Sequence, residues 1–453
     1  MRSKLIQNVF DVQPARVEYA EGVWLYDSDG KRYIDGSAGA VVSSIGHANP
    51  EVVEAIARQA GKVAFTHRGA FASADTERLA ERLADMTGYA GVWFVNSGSE
   101  AVEAAMQFAL QYFREIGQPA RCWFLSHSVG YHGNTLGALS LSGHVRRNAA
   151  EGLALDFPVL PSPYGTEDDP CADDERRTTR LLAGARKEFE KYADSLAAIV
   201  VEPVGGATLG ATAPPEGYLA GLRALCDEFG VLMIVDEVMS GLGRTGRVLA
   251  VDHWGVRPDL VALGKGMGAG YTPVAATLVS AKVLDSIESG SRRVLGGHTY
   301  AGNPLSIATT MAVLDVMERD DIITQVPPKA SLLQDGLERL AAAHPLVTDA
   351  RGLGMLQALE LIPAAAGRPI GSVSQAVVQA AMKHGLALYA TTGGYNEALL
   401  VAPPLTISED EIGLLVRALD AALTDVESDL VSDPDGVDAE HVEESSSLAT
   451  RNP

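Results

Sequence analysis

Cysteine is scarce in this chain of 453 residues: Cys122, Cys171 and Cys226 are the only three, with neither a paired nor a CxxC spacing. A disulfide framework and a zinc or other metal site are therefore not expected, and a reducing cytoplasm fits. Basic residues are also few, 36 Lys and Arg against 58 Asp and Glu, for a formal charge of −22. That balance argues against nucleic acid as a partner, because a basic face is needed to displace counterions, although it leaves room for a small basic pocket. No apolar stretch approaches the eighteen or so uninterrupted residues of a membrane span, and MRSKLIQNVFDVQPARVEY holds no apolar core long enough for a signal peptide. The expectation is a soluble cytoplasmic protein with no membrane partner. A GxxxxGK motif followed by Ser or Thr is missing too, so the acidic segment VLMIVDE does not belong to a P-loop nucleotidase.

What is abundant is apolar sequence, at 47% of residues, enough for large buried sheets. The length exceeds one ordinary core and predicts two or three subdomains. Residues 1–60 read as a hairpin, with an Asp-Gly turn in GVWLYDSDGKRYIDG, followed by a helix. From Ser73 helix and strand alternate, through GVWFV, RCWFLSHS, LAAIVVEP, VLMIVDEV, DLVALGK and VAATLVS, which predicts an α/β fold with a doubly wound, mostly parallel sheet over 61–325. Residues 161–180 are polar and read as an excursion loop. Pro327 and Pro328 mark a boundary, 326–424 a smaller α+β domain built together with the N-terminal segment, and the acidic residues 425–453 a disordered tail.

Asp236 and Lys265 each end a short, β-branched run of the kind that forms a buried parallel strand, so both should emerge at the carboxyl edge where open α/β sheets bind ligands. A carboxylate after five apolar residues is costly to bury unless it meets a cation. A lysine and a carboxylate there are the two groups that pyridoxal 5'-phosphate (PLP) requires, one for a Schiff base and one to keep the pyridine nitrogen protonated. For Lys265 to act near neutrality its pKa must fall by roughly two units from about 10.4, near 3 kcal/mol, and burial has the right sign. Ser97, Gly98 and Ser99 follow a strand and open a helix, where free N–H groups suit a phosphate, although a plain helix cap has the same appearance. Tyr131 and His132 follow RCWFLSHS, and Tyr131 is either a ring-stacking or a packing residue. Glu202 is one more carboxylate at a strand end, or a turn cap. Gly241 to Gly246 match the dinucleotide GxGxxG with Asp259 eighteen residues on, but the following RVLAVDHWG is a poor amphipathic helix.

Taken in order, NSGSEAVEAA, YHG, VVEPV, MIVDEVMSGLGRTG, DLVALGKGMGAGYTP and GHTYAGNPLS resemble the class III aminotransferases of the fold type I PLP enzymes, in the branch that links ω-amino acids to pyruvate. The resemblance runs from Val17 to Leu423. It implies a Schiff base on Lys265, Asp236 at the pyridine nitrogen, Gly98 and Ser99 at the phosphate, and Tyr131 and Val238 on the two faces of the ring. It also implies Glu202 on the side of the ring hydroxyl, Thr299 reaching the phosphate of a neighbouring subunit, and a homodimer with shared sites. The reaction implied is ping-pong transfer of an amino group from an amine or ω-amino acid to a keto acid, with a racemase, epimerase or decarboxylase as the alternative on the same scaffold. Many relatives carry a carboxylate-binding arginine just before the APP motif, and LALYATTGGYNEALLVAPPL has none. Arg68, in THRGAF, is a candidate replacement, or else simply an exposed or interface arginine. Tyr395 lies in the other loop expected to shape substrate choice.

Overall fold

The computed structural model describes residues 4–6, 14–163, 174–362, 371–391 and 397–432. Three antiparallel strands come first, β1 (Val17–Glu21), β2 (Trp24–Asp27) and β3 (Arg32–Asp35), with Gly30 at a positive φ in the β2–β3 turn as the Asp-Gly signal requires. The central part supplies β4 (Gly91–Val95), β5 (Trp123–His127), β6 (Val159–Leu160), β7 (Leu196–Val201), β8 (Leu232–Asp236), β9 (Leu260–Leu263) and β10 (Ala275–Val279). The last part supplies β11 (Val347–Leu353), β12 (Leu356–Leu361), β13 (Leu386–Ala387), β14 (Tyr389–Ala390) and β15 (Glu397–Val401).

The central strands form one sheet in the order β4-β10-β9-β8-β7-β5-β6. All its pairings are parallel except those of β10, which runs antiparallel to both neighbours. Strands β7 to β10 are buried along their whole length, and their side chains divide by alternation between two cores. Met233, Val235, Val261 and Leu263 enter one cluster, whereas Leu232, Ile234, Leu260 and Ala262 enter the other with the helix Gly98–Glu115. That is the period of two expected of a sheet covered on both faces, and it explains why these runs read as continuously apolar. The result is an α/β layer architecture with a mostly parallel sheet between two helical layers.

The two ends of the chain meet. Strand β13 adds in parallel to β3, pairing Leu386 with Ile34, while β11, β12, β15 and β14 make a separate antiparallel sheet. Pro327 and Pro328 stand in the first turn of the helix Val326–Ala343, where a missing N–H costs nothing.

Two expectations need correction. The helix Asp174–Lys191 begins inside the stretch read as an excursion loop, because Leu181, Ala185 and Phe189 give it a buried stripe after two polar turns. Residues 164–173 lie outside the described residues. The helix Glu409–Ser432 likewise runs into the acidic segment expected to be disordered. Acidic residues there are tethered: Asp425 to His384 Nε2 at 2.8 Å, and Glu427 to His344 Nδ1 at 3.0 Å and to the Leu346 N–H at 3.1 Å. Composition alone does not reveal such partners. The remainder of that segment, from 433, is not among the described residues.

Candidate active site

Adjacent parallel strands bring the two key residues together. Asp236 at the end of β8 is in register with Ala262 of β9, so Lys265 emerges three residues further along, past Gly264, on the same carboxyl edge. A cleft of about 200 Å³ opens there, and Gly98, Ser99, Tyr131, His132, Gly133, Glu202, Asp236, Val238 and Lys265 line it. Lys265 itself has a positive φ of 40°, a conformation uncommon outside glycine and met often at functional turns.

Both oxygens of the buried Asp236 are engaged. Oδ2 lies 3.0 Å from His132 Nδ1, and Oδ1 accepts the Val238 N–H at 3.0 Å. Burial opposes protonation of His132, but the hydrogen bond and charge of Asp236, with Glu202 behind, outweigh it and raise the pKa. His132 is thus the donor to Asp236, and its own N–H is anchored on Ser142 Oγ at 2.9 Å. Glu202 accepts the N–H groups of Tyr131 and Gly206, each at 3.1 Å. Its carboxyl is pushed up chiefly by burial, with the negative Asp236 adding to the effect against His132 and the two N–H donors. Burial also brings the Lys265 amine down to about 8, against the pull of Asp236 and Glu202 and with help from the Arg244 guanidinium. The shift has the direction and size that an amine nucleophile needs.

The opposite wall is a helix N-terminus. The N–H groups of Gly98 and Ser99 open the helix Gly98–Glu115 and have no carbonyl one turn earlier to bond. A Cβ at Gly98 would stand 2.7 Å from Val238 Cγ1, and one at Gly133 2.5 Å from Ser99 Oγ, so both glycines are needed for the close approach. Ser99 Oγ accepts the Asn134 N–H at 3.0 Å. An exposed Ser97 has its hydroxyl on the Glu100 N–H at 3.2 Å, as the helix cap, and does not line the cleft.

Other expected site residues lie elsewhere. Arg68 is exposed, its guanidinium 4.7 Å from the Trp93 ring centre and packed on Gly297, outside the cleft lining. Thr299 is exposed as well and does not line the cleft of its own chain. Tyr395 lies outside the described residues. The GxGxxG match is overturned: no helix follows Gly246, only a short 3-10 turn at Ala250–Trp254, and Asp259 is paired with Arg223 at 2.8 Å and Lys282 at 3.1 Å.

Sequence reasoning missed the apolar wall of Val204, Ala207 and Met239. Small apolar residues in a loop carry no signal of their own. Arg351 fastens that loop from the small domain, with bonds of 2.7 and 2.9 Å to the carbonyls of Leu209 and Gly210 and 2.8 Å to Thr212 Oγ1.

These features fit PLP: a low-pKa amine, a carboxylate locked by a histidine, and a phosphate-sized cradle of free N–H groups walled by glycines. The aminotransferase class-III family profile matches residues 7–423. An uncharacterized aminotransferase of Bacillus subtilis, YodT, is 38% identical over 96% of this chain and 100% of its own length. An omega-aminotransferase of Caulobacter vibrioides is 31% identical over 92% of this chain and 95% of its own. Among solved structures, a PLP-bound amine transaminase from an uncultivated Pseudomonas species superposes with a TM-score of 0.87 at 32% identity, over 94% of this chain and 99% of that one. The chain belongs to the class III aminotransferases, PLP-dependent transaminases of fold type I.

Proposed function

We propose that this transaminase takes its amino group from an amine or ω-amino acid and delivers it to a keto acid such as pyruvate, in a ping-pong cycle through a Schiff base on Lys265. The observation that carries the catalytic assignment is the Lys265 amine, lowered to about 8 and sharing one cleft with Asp236. The names of the Caulobacter and Pseudomonas relatives support the donor class. The racemase, epimerase or decarboxylase alternative gains no support from the family.

When bound, the cofactor supplies an aldehyde carbon for amine capture and a ring that takes up the electrons released at the substrate carbon. The protein does the rest. Lys265 would be the amine that carries that carbon, and with its pKa lowered to about 8 it would also serve as the base that moves the proton at the substrate carbon. Asp236, fixed by His132 Nδ1 and the Val238 N–H, would be the carboxylate that partners the ring nitrogen. Gly98 and Ser99 would offer their N–H groups to the phosphate and Tyr131 and Val238 would hold the ring, while Glu202 accepts the Tyr131 N–H and keeps that residue in place.

A homodimer is part of the same reading. Phe65 and Tyr300 are exposed and in edge contact at 6.0 Å, and this uncovered aromatic pair, adjoining Thr299 in the chain, favours a second copy. Cytoplasmic residence is supported by the free thiols Cys122 and Cys226. Among the described residues no helix is long and apolar enough to cross a membrane.

The test is a half-reaction. Holoenzyme is mixed with amines and amino acids without acceptor, and the cofactor spectrum and carbonyl products are followed. Conversion to the pyridoxamine form is expected with at least one amine or ω-amino acid, and its absence in Lys265→Ala. Reaction confined to α-amino acids would overturn the donor class, and normal turnover of Lys265→Ala would overturn the role of the lysine.

A further inference from the structure

We infer that Arg146 binds the substrate carboxylate of this enzyme, that of the keto acid acceptor and of any amino acid donor. The inference rests on the transaminase reading and concerns how its cleft accepts an acid. A keto acid carries a negative charge into a cleft already lined by Asp236 and Glu202, so a cation within reach of the open side is needed. The other arginines around the site are held elsewhere; among the described residues Nη2 of Arg244 has no partner, but it is buried and Arg244 does not line the cleft. Arg244 is buried and donates to the carbonyls of Pro403 at 2.6 Å and Met355 at 3.2 Å, Arg351 is fastened to the Leu209–Thr212 loop, and Arg68 lies on Trp93. Residues 386–405 contain no arginine at all.

Arg146 differs. It is exposed, in the short turn Val145–Ala150, and its Nη1 donates to the hydroxyl of the cleft residue Tyr131 at 3.2 Å. Its guanidinium carbon is 5.6 Å from the Tyr131 ring centre, which sets the charge beside the hydroxyl tip and not flat on the ring. The backbone is anchored as well: the Arg146 N–H donates to Nδ1 of the buried His144 at 3.0 Å, and the His144 ring lies 5.1 Å from that of Tyr131. Among the described residues Arg146 has no ion pair, whereas the adjacent Arg147 faces Asp156 at 3.4 Å. A planar fork of five N–H donors with one on a neutral phenol keeps a pair for bidentate contact with a carboxylate. Since Tyr131 accepts from Arg146, its own hydroxyl hydrogen is available to the same carboxylate, so the two act as one site.

The experiment compares acceptors that differ only by the carboxylate, pyruvate and acetaldehyde, with one amine donor, in wild type, Arg146→Gln and Arg146→Lys. Propionate binding to each holoenzyme is measured by calorimetry. For Arg146→Gln, kcat/KM for pyruvate should fall about ten- to a hundredfold, the range of a charge-assisted hydrogen bond, mostly through KM. Acetaldehyde should change less than about twofold, and Arg146→Lys should recover part of the loss. Equal effects on both acceptors, or unchanged propionate affinity in Arg146→Gln, would overturn the assignment. A wild type that transfers no amino group from any donor would instead sink the functional reading, and loss of propionate binding in Arg146→Gln would still support the carboxylate site.

Discussion

Replacing Lys265 by methionine should stabilise the cofactor-free protein, by an amount that depends on pH. The folded amine titrates at about 8 and the unfolded one near its ordinary 10.5, so the charged form is disfavoured by folding. Two and a half units at about 1.4 kcal/mol each give about 3 kcal/mol. The sign follows from proton counting. Below pH 8 the lysine is charged in both states and the whole penalty is present. Between about 8 and 10.5 the unfolded chain binds more protons, so wild-type stability rises with pH, and above that window the penalty is gone. Urea unfolding of apo wild type and Lys265→Met, from pH 6.5 to 10.5, should show the variant ahead by about 3 kcal/mol at neutrality and the gap closing as the pH rises. A gap that is constant across that range, or that has the opposite sign at pH 7, would refute the claim that burial dominates this amine.

Three other outcomes follow from particular contacts. Gly98→Ala puts a methyl 2.7 Å from Val238 Cγ1, so about 1–3 kcal/mol of stability and most of the PLP affinity should be lost; pairing it with Val238→Ala should restore part of both, as read by thermal melting and cofactor titration. His132→Phe removes the donor to Asp236 and leaves a buried carboxylate oxygen unpaired, which should weaken cofactor binding roughly tenfold or more and shift the absorbance of the bound cofactor; an unaltered spectrum and affinity would contradict the coupling. Truncation after Leu423 takes away the buried Val426 and the Glu427 tether and should cost about 2–3 kcal/mol in chemical denaturation; an unchanged midpoint would contradict the tether.

Much of the site is legible one strand at a time. Asp236, Lys265, Glu202 and the Ser97–Ser99 turn each stand where an apolar run stops, and a run buried on both faces must release its first polar residue at the sheet edge. Their chemistry follows from residue type, and the order of the motifs along the chain carries the family. A helix start is legible for the same local reason at Ser73, whose side chain accepts the Thr76 N–H. What the chain text does not contain is which distant groups meet. Strand β10 enters antiparallel between β4 and β9, although its apolar pattern suits either direction. The bond of His132 to Asp236 closes a separation of 104 residues, and the lowering of the Lys265 pKa is a sum over burial, two carboxylates and Arg244 that exists only once the sheet is assembled. Arg68 and Arg146 are equally plain arginines in sequence, and packing alone sets one on Trp93 and the other at the tip of Tyr131. Local periodicity and residue chemistry are properties of neighbours along the chain and survive in the text; burial, pairing and field are properties of neighbours in space, and they arise only when the tertiary fold removes the water between them.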